Sequence, residues 1–256
     1  MPADADPIVR LLWRHVVPAE TSAPKRGPRQ RVTVDEVVDR AIEIADEQGL
    51  GALTMRILAS RLGIGVMTLY TYVANRNDLV VLMVDQVFGR RELPPMSGSM
   101  RARLQLVAEI QLGDCREHPW LLEVAGVRPW LGPQVADRYE WQLSAVEGIG
   151  LDDIEMDQTV TLVSGFATNV ARSEHEVRRA ERESGMTDLE WWTVNVGPLT
   201  EVMGHREYPL AGRVGSSTGE AYQAGTDPRR ELEFGLARIL DGLEAYVATR
   251  KRASRR

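Results

Sequence analysis

The stretch TMRILASRLGIGVMTLYTY, residues 54–72, contains two short helical patterns on either side of a glycine turn. Thr54 is a residue type that caps helix N-termini, and the apolar residues after it recur at helical spacing. The run Gly63-Ile64-Gly65 interrupts the pattern, because glycine tolerates the backbone conformation of a helix C-terminal turn. Leu69 gives the second helix an apolar side that packs inward. The stretch therefore predicts a helix-turn-helix.

The outer side of the second helix carries small, hydroxylated and aromatic side chains but no charge. Such side chains suit the edges and methyl groups of DNA bases, and hydroxyl groups also bind phosphate. We therefore predict that this helix contacts DNA. The predicted base contacts come from Arg56, Val66, Met67 and Thr71, and the predicted phosphate contacts come from Thr54, Thr68, Tyr70, Tyr72 and Arg76.

Helical patterns flank the helix-turn-helix on both sides. Before it, apolar residues repeat at intervals of three and four from Val34 to Ala45. After it, Asn75 or Asn77 can cap a further helix, whose N-terminal dipole favours a phosphate. Three helices can enclose a small core, so residues 32–78 are predicted to form a DNA-binding domain.

Residues 1–31 are predicted to be a mobile N-terminal extension with a basic arm. The prolines in this segment prevent one continuous helix. Lys25, Arg26 and Arg29 lie close together with no acidic residue among them, so they are candidates for contacts in the DNA minor groove or along phosphates. The alternative is a solvated leader without a specific contact, since chain termini are often disordered.

The composition is that of an ordinary globular protein, with 43% hydrophobic and 27% charged residues among 256. No run of about 18 apolar residues occurs, and the start lacks the features of a secretory signal, so we expect a cytoplasmic protein without a membrane segment. The single cysteine, Cys115, excludes an internal disulfide and a cysteine-based zinc site. No cofactor and no metal site are predicted.

The net charge of −6 is unevenly distributed along the chain. Residues 1–90 carry 11 basic and 11 acidic side chains, whereas the remaining residues carry 20 and 26. A net negative protein does not bind nucleic acid over its whole surface. The distribution therefore assigns DNA contact to the first part of the chain only.

The second part also consists of helical patterns, so the predicted fold class is all-α. Residues 92–99 contain prolines and a glycine and are predicted to connect two functional halves. Residues 204–225 are rich in glycine and serine, and they are predicted to be a partly disordered loop. Helices are predicted over 100–118, 133–147 with Val135, Tyr139, Leu143 and Val146 inward, 152–184, from 187 to Pro198, and 227–249, with capping boxes at Asp152–Glu155 and Thr187–Glu190.

The tryptophans of the second part are candidates for a ligand pocket. Large rings bury much area with few rotamers and offer one donor each, although aromatic residues at helical spacing more often fill cores. The polar and aromatic residues of the long predicted helix are plausible companions. The predicted ligand-binding residues are Trp120, Trp130, Trp141, Phe166, Asn169, Arg172, Trp191 and Trp192.

Two motifs resemble the active-site patterns of enzymes, but each lacks a feature that the pattern requires. Gly215 to Gly219 matches the G-x-S-x-G nucleophile pattern, but that motif needs a strand before it, and none is predicted. His175-Glu176 opens a zinc-binding H-E-x-x-H pattern, but position 179 is arginine. No catalytic residue is therefore predicted, and the protein is not expected to be an enzyme.

Several of these segments resemble the tetracycline-repressor (TetR) family of bacterial transcription regulators. ALTMR (52–56), LASRLGI (58–64), TLYTYV (68–73) and NRNDL (75–79) are similar to its DNA-binding domain. The family usually has lysine at the position of Arg76 and often histidine or phenylalanine at that of Tyr72. EHPWL (117–121), RPWLGP (128–133) and EFGLARILDGL (233–243) are similar to its C-terminal domain, so the resemblance covers most of residues 32–250.

The resemblance implies an N-terminal three-helix helix-turn-helix DNA-binding domain and a larger helical ligand-binding and dimerisation domain over 79–256. It implies a homodimer, for whose interface 152–184 and 227–249 are the candidate helices. The implied function is a repressor that leaves its operator on double-stranded DNA when a small, mostly apolar effector binds. The alternatives are an activator or partner-sensing regulator of the same fold, or an all-helical small-molecule enzyme.

Overall fold

The computed structural model describes residues 7–16, 32–124, 131–204 and 206–253. Within these ranges the chain is helical and contains no strand, which confirms the all-α prediction. The α-helices are α1 (Pro7–Leu12), α2 (Val34–Gln48), α3 (Met55–Arg61), α4 (Val66–Leu69), α5 (Arg76–Arg90), α6 (Met100–Glu117), α7 (Pro133–Ser144), α8 (Asp153–Ser184), α9 (Asp188–Met203), α10 (Pro209–Tyr222) and α11 (Pro228–Ala253), and short 3-10 helices span Leu50–Ala52 and Pro119–Glu123.

The contacts divide the chain into two compact units, Met1–Thr161 and Leu162–Arg256. The boundary after residue 78 that the sequence suggests falls inside the first unit. The connector 92–99 lies between α5 and α6 and contains no helix before Met100. The domain boundaries therefore remain predictions, and the two units are described separately.

Polar side chains begin the helices where the sequence predicts them. The Thr54 hydroxyl accepts a hydrogen bond from the Ile57 amide at 3.2 Å. Asn75 caps α5, since its Oδ1 accepts from the Asp78 amide at 2.9 Å. Both predicted capping boxes are formed, at Asp152–Glu155 before α8 and at Thr187–Glu190 before α9. These caps satisfy amides that have no partner within the helix.

The apolar core of the first unit is formed by the inner sides of α1 to α5 together with Trp120, which lies on the 3-10 helix Pro119–Glu123. The pattern from Val34 to Ala45 forms α2 as predicted, and its apolar side is buried. The short α1 packs on this core through Leu12, and the Trp13 indole N–H donates to the Leu131 carbonyl at 2.8 Å.

The second unit corrects two predictions. The supposed loop 204–225 contains the helix α10, which Pro209 begins at its first turn. Each glycine in a helix costs about 1 kcal/mol relative to alanine, and α10 contains three glycines and buries no residue, so low helix propensity was a weak indicator of a loop here. In addition, α9 continues through Pro198 to Met203, because a proline removes one backbone hydrogen bond without always ending a helix.

The inward face predicted for α7 is also only partly correct. Val146 is buried just after the helix, and Val135 and Leu143 are half-buried. Tyr139, however, is exposed, and its hydroxyl donates to Asp157 Oδ1 at 2.8 Å. This hydrogen bond raises the pKa of Tyr139. A tyrosine at an apolar position can face water when its hydroxyl finds an acceptor there.

A carboxylate on α5 caps the N-terminus of α7. Asp85 Oδ1 accepts from the amides of Gln134 at 3.0 Å and Val135 at 3.1 Å. Gly132 is required at the cap position, because a Cβ there would lie 2.0 Å from Asp85 Oδ1. Burial raises the pKa of Asp85, and the two amides offset this only in part.

Asp85→Asn is expected to raise the free energy of unfolding at pH 7 by about 1 kcal/mol, because the side-chain amide oxygen still accepts both backbone hydrogen bonds while the buried charge is removed. The pKa of Asp85 is raised above 3.8, so its contribution to stability is full below that value and is lost as the pH rises through the folded-state pKa. Urea denaturation at pH 4 and pH 7 measures this. A variant less stable than the wild type at pH 7 would show that the charge strengthens the cap.

Candidate DNA-binding face and ligand cavity

The turn between α3 and α4 is held by its backbone. The Ile64 amide donates to the Ala59 carbonyl at 3.0 Å, and Gly63 adopts a φ of +65°, which favours glycine. On the inner side, α3 buries Leu58 and α4 buries Leu69. The inner side is thus packed, and the opposite side of the helix pair faces solvent.

Six of the nine residues predicted to contact DNA in the helix-turn-helix are exposed. Met67 projects furthest, with 78% of its surface exposed, and Tyr70 is 43% exposed. The Thr71 hydroxyl donates its proton to the Thr68 carbonyl at 2.7 Å, so its oxygen is left as an acceptor for DNA. The exposed residues are Thr54, Arg56, Met67, Thr68, Tyr70 and Thr71, and Val66 is half-buried.

Tyr72 and Arg76 are placed differently from the sequence prediction. The Tyr72 ring is 8% exposed and belongs to the core rather than to the outer face. Arg76 is half-buried, and its Nε and Nη2 donate to the carbonyls of Leu53 at 2.9 Å and Leu50 at 2.6 Å. Arg76 therefore holds the segment before α3 against the start of α5. The basic arm residues Lys25, Arg26 and Arg29 lie outside the described residues.

The predicted ligand-binding residues are distributed over both units. Trp120 is 1% exposed within the core of the first unit, where its N–H donates to Asp46 Oδ1. The Trp141 N–H donates to the Pro94 carbonyl at 2.7 Å. Trp130 lies outside the described residues. In the second unit, Phe166, Asn169 and Arg172 lie on α8, and Trp191 and Trp192 lie on α9.

The second unit contains a cavity of about 650 Å³ between α9 and α10. Its α9 side is largely apolar and includes Trp192, and its α10 side carries several glycines. The sequence did not predict this cavity, because the glycines and serines of 204–225 indicate a loop and not a helix. The cavity is lined by Leu189, Trp192, Val196, Leu199, Thr200, Met203, Tyr208, Ala211, Gly212, Gly215, Ser216, Gly219, Glu220 and Ala224.

A buried ion cluster, which the sequence pattern did not predict, joins the residue after α5 to α6 and α7. Arg138 Nη2 lies 2.9 Å from Asp114 Oδ2, and the two side chains are 3% and 2% exposed. Arg91 donates to the other Asp114 oxygen. Burial lowers the pKa of Arg138, and Asp114 opposes this shift. One feature of the sequence indicates this cluster. The charged residue Asp114 lies on the same side of α6 as the apolar residues Leu104 and Val107, which precede it by ten and seven positions.

Metal-binding clusters and membrane-spanning helices are both absent from the described residues. No group of three or more His, Cys, Asp or Glu side chains among them is arranged to hold a metal ion. No helix in those ranges is long and apolar enough to cross a membrane.

A helix-turn-helix whose second helix faces solvent on its outer side is the DNA-binding element of a class of transcription regulators. Residues 94–247 match the family model described as "Tetracyclin repressor-like, C-terminal domain". This match covers more than half of the 256 residues. The chain therefore belongs to the tetracycline-repressor family of transcriptional regulators, as the sequence motifs predicted.

Similar proteins come from two Streptomyces species. The chain is 39% identical over 231 residues to the HTH-type transcriptional repressor DrrR1 of Streptomyces coeruleorubidus, and the match covers 89% of this chain and 83% of that protein. The crystal structure of apo ActR from Streptomyces coelicolor aligns with a TM-score of 0.68 and 26% identity, covering 87% of this chain and 99% of ActR. ActR in complex with actinorhodin aligns with a TM-score of 0.66 and 26% identity, covering 86% and 99%.

Proposed function

We propose that this protein is a cytoplasmic, homodimeric transcriptional repressor that leaves its operator when a small, mostly apolar molecule binds. The observation that carries the proposal is the exposed outer side of α4, with Met67 and Tyr70 projecting into solvent from a buried scaffold. The similarity to a protein named as a transcriptional repressor supports repression rather than activation.

The proposed DNA contacts follow the exposure of the side chains. Arg56, Met67 and Thr71, with Val66 beside them, contact base edges, and Thr54, Thr68 and Tyr70 contact phosphates. Arg76 supports the DNA-binding face indirectly, because its guanidinium donates to two backbone carbonyls of the segment before α3. Tyr72 supports the helix from the core. The arm residues Lys25, Arg26 and Arg29 remain candidates for further phosphate contacts.

The proposed dimer uses the two long helices α8 and α11, which overlap the candidate interface ranges 152–184 and 227–249. Both carry large apolar side chains in contact with solvent, including Leu162 at 49% and Phe234 at 68% exposed. Exposed apolar residues along two helices favour association. A dimer places its two recognition helices on half-sites about 34 to 36 Å apart.

The proposed effector site is the cavity between α9 and α10. Its volume of about 650 Å³ suits a small organic molecule, and its walls are mostly apolar with a few hydroxyl groups. Trp192 is the predicted ligand residue that lines it. Trp141, Phe166, Asn169, Arg172 and Trp191 do not line this cavity and remain separate candidates. The complex of the similar ActR with actinorhodin supports a small-molecule effector.

The experiment that tests the function is fluorescence-anisotropy binding to the DNA upstream of the protein's own gene, at two salt concentrations and with a random duplex as competitor. We expect competitor-resistant binding that weakens steeply with salt, because phosphate contacts release counterions. Binding no tighter than to random DNA would remove this region as the operator. If genome-wide site selection then also enriched no sequence, the proposed function would be wrong.

Trp192→Ala tests the effector site in the same assay. A panel of compounds that includes actinorhodin is first screened for compounds that lower the anisotropy of the operator complex. We expect the variant to bind operator like the wild type but to need about tenfold more of the same compound, since it loses one large ring of the pocket. An unchanged response would place the effector elsewhere.

A further inference from the structure

Asp46 connects the first helix of the DNA-binding bundle to the segment that follows α6. Its Oδ1 accepts the indole N–H of Trp120 at 2.8 Å and lies 2.8 Å from His118 Nδ1. Asp46 lies near the C-terminus of α2, more than seventy residues before both partners. One carboxylate oxygen thus joins α2 to the end of α6 and to the 3-10 helix Pro119–Glu123.

Three further contacts lie beside this junction. Glu123 Oε1, at the end of the 3-10 helix, accepts the Leu50 amide at 3.3 Å. Arg91, at the end of α5, donates to Asp114 and to Glu117 of α6, the second contact at 2.7 Å. The last turns of α6 and the 3-10 helix therefore contact both α2 and α5, the two helices that flank the helix-turn-helix.

The hydrogen bonds of Asp46 differ from ordinary core packing because they depend on the direction of donor and acceptor. Apolar contacts tolerate small rotations, whereas hydrogen bonds to a charged acceptor are short and angle-dependent. The side chain of His118 is 9% exposed and Trp120 is 1% exposed, so water competes little for these donors. A rotation of the end of α6 relative to α2 would break both contacts at once.

We propose that Asp46, His118 and Trp120 are positioning residues that set the direction in which the helix-turn-helix projects, and hence the half-site spacing that the dimer reads. This inference rests on the proposed operator-binding function. Two recognition helices bind together only when their separation matches the DNA repeat. A firmly held helix-turn-helix rejects a wrong spacing, and a loosely held one accepts it.

The test uses the full-length dimer and three operator duplexes, one natural and two with one base pair added to or removed from the centre. Trp120→Phe removes one donor and keeps an aromatic ring, and Asp46→Ala removes the acceptor. The matched control is Tyr139→Phe, which removes a donor to another aspartate, Asp157 Oδ1, also at 2.8 Å.

For the wild type and Tyr139→Phe we expect the altered spacings to weaken binding by at least about tenfold, because one base pair shifts a half-site by about 3.4 Å. For Trp120→Phe and Asp46→Ala we expect a penalty several-fold smaller. Circular dichroism identifies any variant that does not fold, and Trp120→Phe decides the test if Asp46→Ala fails to fold.

Two outcomes would overturn the inference. One is a spacing penalty in Trp120→Phe equal to that of the wild type, and the other is a uniform loss of affinity on all three duplexes, which indicates a structural role only. A wild-type protein that binds none of the duplexes above random DNA, and enriches no site from the genome, instead contradicts the proposed function.

Discussion

Asp114→Ala is expected to lower the free energy of unfolding by about 3 to 5 kcal/mol, because it leaves the Arg138 guanidinium buried without a counter-charge. The two side chains are 3% and 2% exposed, so water cannot replace the lost partner without rearrangement. Arg138 also stacks on Phe88, with 5.0 Å between its Cζ and the ring centroid, and this contact keeps the guanidinium in place. Urea denaturation followed by circular dichroism measures the change.

Asp241→Ala is the matched control for this prediction. Arg238 and Asp241 form an ion pair of similar length, 2.8 Å, but both side chains are at least half exposed. Removing a surface ion pair usually costs less than about 1 kcal/mol. Comparable losses in the two variants would contradict the argument that burial makes the Asp114 cluster costly to break.

The double variant Asp114→Leu/Arg138→Met separates the charge from the packing. Replacing both members of a buried ion pair by apolar residues is often close to neutral, whereas removing one member is not. We therefore expect the double variant to recover most of the stability that Asp114→Ala loses. A double variant as unstable as the single one would show that the loss came from packing on Phe88 instead.

Met67→Glu is expected to weaken operator binding by about 100-fold or more, because a carboxylate on the recognition helix meets the negative charge of DNA. Met67 is 78% exposed, so the substitution leaves the fold unchanged. Anisotropy with the operator duplex measures the loss, and thermal unfolding verifies the fold.

Met186→Glu gives the matched control for the charge itself. Met186 is also exposed, at 40%, and lies between α8 and α9 in the second unit. The control changes the net charge equally, so we expect only a small effect on affinity. Equal losses in both variants would mean that net charge, and not the position of residue 67 on the DNA-facing side, determines binding.

The sequence motifs identified the family and the helix-turn-helix because both depend on local signals. A cap such as Thr54 or Asn75 acts within one turn of its own helix, and the glycine turn at Gly63 depends on the backbone of a single residue. The capping box before α9 is local in the same sense. Interactions between residues three or four apart can be predicted without knowledge of the rest of the chain.

Positions whose environment comes from distant residues could not be predicted in this way. Tyr72 has the polarity of a DNA-contacting residue, but the packing of neighbouring helices buries it. Trp120 resembles a ligand-pocket residue, yet its partner Asp46 is 74 positions away. The helix α10 was mistaken for a loop because its glycines and serines have low helix propensity, and the cavity that they line with α9 was therefore missed.

The sequence by itself thus determined the all-α class, the helix-turn-helix, most helix ends and the family. Only the tertiary structure decided which aromatic side chains are buried, that Asp85 caps α7, and that Asp46 and Asp114 join helices far apart in sequence. The physical reason is the range of the interactions. Helix caps and periodicity act over one or two turns, whereas burial and ion pairing depend on which surfaces the folded chain brings together.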